Sequence, residues 1–151
     1  MTLQQWAFSF KGRIGRRPFW AGIASYFILM TIIVLLQNAF ALPETVVIVL
    51  LVLLLYPLAA IFTKRLHDRG KPGGWFALVI LAFALFSMDV SQLAPVWQWG
   101  IGRFLPLLIA MIMLLDCGVF VGMDSENQYG EKTQSVDYLS WPPLYGWKRG
   151  D

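Results

Sequence analysis

Four stretches of the chain lack the polar alternation of surface elements. Residues 19–40 hold no charged side chain, and as a helix these 22 positions extend roughly 33 Å, enough to cross the hydrocarbon core of a bilayer. The run is longer than a signal-peptide core and no small-residue cleavage pattern follows it, so it is expected to stay attached. Residues 41–44, with Pro43 fixing a turn, lead into 18 uncharged positions at 45–62, rich in Val, Leu and Ile. The two spans make a hairpin, and Pro57 predicts a kink or a freed carbonyl in the second.

Residues 63–74, TKRLHDRGKPGG, are dense in charge and in turn formers and predict a loop at the water interface. Residues 75–88 supply only 14 uncharged positions, about 21 Å of helix. That falls short of a crossing unless the helix continues past Asp89 towards Ala94; the alternative is a tilted or re-entrant segment, with Asp89 snorkelling outward. Residues 104–123 form a fourth apolar run, broken only by Asp116, with Pro106 in its first turn. The pattern predicts an all-α, four-span transmembrane bundle over residues 1–133, its third span short or tilted, and an aromatic, Pro-containing tail over 134–151.

Composition agrees with a membrane setting. Of 151 residues, 58% are hydrophobic and 14% charged, and the mean hydropathy is +0.61. A net charge of +3 gives no reason to expect nucleic acid. One cysteine, Cys117, and one histidine, His67, exclude a disulfide scaffold and a Cys/His metal cage, so no metal and no cofactor are expected.

The cations are placed lopsidedly. Lys11, Arg13, Arg16 and Arg17 precede the first span; Lys64, Arg65, Arg69 and Lys71 separate the second from the third; Lys132, Lys148 and Arg149 follow the fourth; only Arg103 falls on the other side. By the positive-inside bias both termini and the central loop are expected in the cytoplasm.

Candidate chemistry is concentrated in those polar segments. Residues 8–20, FSFKGRIGRRPFW, interleave cations with aromatics, which suits first an interfacial anchor and topology signal and second a surface for anionic headgroups. Arg13, Arg16, Arg17, Arg65 and Arg69 are the candidate lipid-headgroup ligands. The central segment has neither Walker nor G-x-G-x-x-G spacing, and a metal hydrolase would need further His ligands. A lipid-headgroup enzyme with His67 as base and Asp68 as orienter is the least favoured reading, because neighbours in a turn point apart. No catalytic residues are assigned.

Three segments together resemble a bacterial inner-membrane family catalogued as domain of unknown function 805. They are Phe10-Lys-Gly12-Arg13 with Arg16 and Phe19-Trp20; Lys64-Arg65-Leu66-His67-Asp68 with Gly73-Gly74-Trp75; and Glu126-Asn127-Gln128-Tyr129-Gly130. Lys64, Pro72 and Lys132-Thr133 depart from the usual pattern. The resemblance implies a small multispan protein of the bacterial inner membrane and brings no established activity.

All three segments emerge on one side of short hairpins, so they are expected to meet. Asp68 or Glu126 should contact an arginine of the N-terminal segment, with His67, Asn127 and Tyr129 completing the cluster and the remaining arginines facing anions. Within the fourth span, Asp116 is costly at depth and should face other helices, as a proton or cation step, as the partner of a snorkelling Arg or Lys, or as a neutral, protonated or hydrogen-bonded residue holding helices together. Gly118 and Gly122 form a G-x-x-x-G pair for close helix contact, within the chain or in a homo-oligomer, as do the small residues Ala21 and Ser25. Tyr138, Trp141, Tyr145 and Trp147, among Pro142, Pro143 and Gly146, should lie back on the interface or dock on another protein.

The leading expectation is a non-enzymatic membrane component whose basic face binds anionic lipid, a larger membrane assembly, or both. The alternative is an oligomeric transporter or channel for a small solute or ion, with Asp116 on its path.

Overall fold

The computed structural model describes residues 1–130 and 132–137. The chain opens on a short helix, α1 (Leu3–Phe8). Thr2 Oγ1 accepts the Gln5 amide while the Gln5 side chain accepts the Thr2 amide, a reciprocal cap that starts the helix. Trp6, its buried residue, donates through Nε1 to the Pro18 carbonyl at 3.3 Å.

The two longest apolar runs become α2 (Arg16–Phe40) and α3 (Glu44–Asp68). Ala41 ends α2 in the left-handed region at φ 48°, and Pro43 precedes α3. Pro57 is accommodated within a helix that continues to Asp68. Residues 63–68, expected in a loop, are thus the last turns of α3. All but the half-buried His67 are buried, and the N-terminal segment packed against them satisfies side chains that would otherwise face solvent. The polar connection shrinks to residues 69–72, and a 3-10 turn (Gly73–Phe76) leads into α4 (Ala77–Ser87).

Asp89 lies beyond α4 in an exposed turn, where the Ser91 amide donates to its carboxylate at 3.0 Å and holds its pKa below the usual range. A second helical stretch then begins at Pro95, well before the predicted start, as α5 (Pro95–Trp99), a π-helical turn (Gly100–Phe104) and α6 (Leu105–Gly118). Pro106, which lacks an amide, is tolerated inside it because the Gly102 carbonyl accepts from Arg103 Nη1 at 3.0 Å. The helix also stops at Gly118, five residues before the predicted end.

Three helical stretches, Arg16–Phe40, Glu44–Asp68 and Pro95–Gly118, are long and apolar enough to cross a membrane, and Gly73–Ser87 is a shorter apolar one. The described residues form an all-helical membrane protein with only isolated β-bridges. α2 packs along α3 and α4 along α6. Their shared core lies at one end, where Phe19 meets Phe62 edge to face at 5.1 Å beside Leu66, Met113 and Cys117. Towards the other end α2 and α3 expose Leu35, Phe40 and Leu53, as lipid-facing helices do.

Candidate functional site

A helix leaves its last carbonyls without internal donors and carries partial negative charge there. The carbonyls of Cys117 and Gly118 at the end of α6, and those of the chain beyond it, are met one after another by side chains from the first two motif segments and by Arg69. Arg65 donates to Cys117 through Nε and to Phe120 through Nη2. Trp20 Nε1 donates to Gly118 at 3.1 Å and Arg16 Nη1 to Val119 at 3.2 Å. Arg69 Nη1 takes Val121, while Arg13 takes Met123 through Nη2 and Ser125 and Gly130 through Nη1, at 2.8 and 3.1 Å. The exit path of the chain from α6 is therefore fastened by four arginines and a tryptophan.

Asp68 sits at the centre. Its Oδ1 accepts Arg13 Nε at 3.2 Å and the Thr133 hydroxyl, and its Oδ2 accepts Arg65 Nη1. Its own carbonyl accepts the Met123 amide at 2.8 Å. Arg13 and Arg65 are 0% exposed and Asp68 1%. A buried ion costs several kcal/mol unless paired and hydrogen-bonded. One carboxylate faces two guanidiniums here, and the balance is made by carbonyl oxygens, including the negative end of α6. Lys64, also 0% exposed, is handled in the same way: Nζ donates to the Gln5 and Ser9 carbonyls, the end of α1.

The third motif closes over the second. Asn127 Nδ2 donates to the His67 carbonyl at 2.9 Å, the Tyr129 amide donates to Asn127 Oδ1 at 2.9 Å, and the Tyr129 ring stacks on His67 at 3.8 Å and 1°. Residues 134–137, the start of the aromatic tail, run beside the N-terminal segment: the Gln134 amide donates to the Arg13 carbonyl and the Asp137 amide to that of Met1, each at 3.0 Å.

The predicted meeting of the three segments is what the geometry contains, and Asp68 is the acid that reaches Arg13. Glu126 stays exposed. Tyr129 joins through ring stacking and its backbone. The assignment of all five arginines to anion binding is corrected: Arg13 and Arg65 are enclosed, because unsatisfied carbonyls and Asp68 offer them more partners than the surface does. Arg16 and Arg69 are partly committed to Val119 and Val121, and Arg17 is exposed. A cleft of about 180 Å³ beside the clamp is lined by Arg16 and Arg65 but also by Asp68 and Asp124, so it is not an anion site by charge. His67 faces Tyr129 while Asp68 faces the arginines, so the two do not form a base and orienter pair.

Asp116 lies in the last turn of α6, two residues from its end, shallower than the predicted span placed it. Its Oδ1 pairs with Lys71 Nζ at 2.9 Å and Arg69 Nη2 at 3.3 Å. Lys71 also lies over the Trp75 ring and Arg69 over Phe120, at 5.1 and 5.4 Å. The G-x-x-x-G reading is corrected as well, because Gly122 is outside α6. A Cβ on Gly118 would stand 2.5 Å from the Trp20 ring, and one on Gly122 would overlap the Asp68 carboxylate. Both glycines make room for the clamp.

Trp20 and Thr133 escaped the sequence reading as clamp members. Trp20 had a signal, lying one turn after Arg16 on the same face of α2; Thr133 had none. The aromatic tail residues Tyr138, Trp141, Tyr145 and Trp147, with Pro142, Pro143 and Gly146, lie outside the described residues.

Residues 7–131 match a family described as protein of unknown function (DUF805), a stretch that contains all three motif segments. The chain is 49% identical over 138 residues to uncharacterized protein YiiR of Escherichia coli strain K12 and to the protein of the same name from E. coli O157:H7. Each alignment covers 91% of this chain and 94% of the relative. No solved structure matches.

Proposed function

We propose, for a chain that belongs to the DUF805 family of proteins of unknown function, a non-enzymatic role in the bacterial inner membrane: a four-pass bundle whose basic face binds anionic lipid at the cytoplasmic surface. Connectivity supports four passes: α2 begins, α3 ends and α6 ends at the basic layer, and the Gly73–Ser87 stretch runs between the end of α3 and the helix Pro95–Gly118 that returns to it. The bias of Lys and Arg towards that layer supports a cytoplasmic location for it.

The observation that carries the lipid reading is which cations and aromatics stay exposed at this layer. Lys11, Arg16 and Arg17 are exposed beside Phe8, Phe10 and Trp20, and Lys71 is half-buried beside Trp75. Cations near an anionic leaflet contribute about 1 kcal/mol each, and aromatic side chains settle at headgroup depth. The same face and the exposed apolar halves of α2 and α3 also suit contact with a larger membrane assembly or a second copy. A solute path through Asp116 gains no support from its setting, where Arg69 and Lys71 hold it.

The test is lipid retention. Full-length protein extracted in mild detergent and offered phosphatidylglycerol or phosphatidylcholine should keep the anionic lipid by native mass spectrometry, and lose the preference when Lys11 and Arg17 are both replaced by Gln. Equal retention of both lipids by the unsubstituted protein would contradict the proposal.

A further inference from the structure

α2 and α6 touch at the basic end, where Trp20 lies on Gly118 and Arg16 on Val119. Beneath that clasp they part, leaving a groove of about 410 Å³ walled by Ile23, Tyr26, Leu58, Phe83, Leu107 and Ala110 among others. Tyr26 supplies the one polar side chain of the lining. We infer that this groove holds one acyl chain of an anionic phospholipid from the leaflet on the basic side.

Two observations favour that occupant. The first is depth. Ile23 and Phe27 lie seven and eleven residues along α2 from Arg16, about 10–16 Å at the helical rise. That matches the reach of a lipid tail through one leaflet, roughly half of an approximately 30 Å hydrocarbon core. The second is charge. Arg16 and Arg17 stand at the start of the same helix, whose first turn has no acidic residue, so a phosphate above the groove would meet cations.

This inference rests on the reading that the basic face meets a lipid leaflet, and its test separates the two. Full-length protein in vesicles is irradiated with phosphatidylglycerol carrying a diazirine midway along one acyl chain, and adducts are mapped by mass spectrometry. Adducts should concentrate on residues 23–27 and 107–114 and fall about tenfold in both Ala110→Phe and Leu107→Trp, which fill the groove, while Leu35→Phe on the open face of α2 changes nothing. The same pattern with phosphatidylcholine would uphold the groove and remove the anionic preference. Adducts spread evenly over the exposed faces of α2 and α3, a groove crosslinked to a second copy, or a retained non-phospholipid that blocks labelling would each overturn the inference.

Discussion

Arg13 and Asp68, 55 positions apart, meet as a fully enclosed ion pair at 3.2 Å, and the rest of the basic layer is arranged around them. Removing the carboxylate charge strands Arg13 and Arg65 inside the protein. Asp68→Asn should lower stability by about 3–5 kcal/mol, the cost of leaving a buried ion without its counter-ion. Reversible unfolding in mixed micelles checks this; a loss below about 1 kcal/mol would put Asp68 in the class of surface pairs.

Asp116 should behave differently. Its partners Arg69 and Lys71 keep 24% and 35% of their side-chain surface exposed. Asp116→Asn is expected to cost about 1 kcal/mol or less in the same assay.

Space is as binding as charge. Gly122→Ala would drive a methyl group into the Asp68 carboxylate, and overpacking of this kind costs about 1–3 kcal/mol. The loss should largely vanish when Asp68 is already Ala, a non-additivity that thermal unfolding of the double variant would show.

Arg17 separates fold from lipid. It is exposed, so Arg17→Gln should change stability by no more than about 0.5 kcal/mol, while the preference for retaining phosphatidylglycerol over phosphatidylcholine falls. A large stability loss would show that Arg17 also serves the clamp.

The apolar runs and the meeting of the three motif segments were legible in the chain, since hairpin spans return polar segments to one face. The fate of each arginine was not. A cation beside a span reads as solvated, and only the end of α6 decides otherwise. That end was hidden, because residues 119–123, VFVGM, continue the apolar run past Gly118 and the stop is set by donors from distant segments. The extension of α3 to Asp68 was partly legible: Arg65 and Asp68 stand at i, i+3, a helical spacing that a loop would not use. The early start of the last helix at Pro95 was obscured by Arg103, whose guanidinium lies 4.6 Å over the Phe86 ring and caps Gly102.

A double-mutant cycle on Arg13 and Asp68 tests the central claim, that the motif residues are a buried clamp on the exit of the last helix. Unfolding free energies of Arg13→Ala, Asp68→Ala and the double variant are measured in one mixed-micelle system. The clamp predicts a coupling of about 2–3 kcal/mol, because the double variant removes both buried charges together. Losses that add to within about 0.5 kcal/mol would mean that the two side chains act independently and would contradict it.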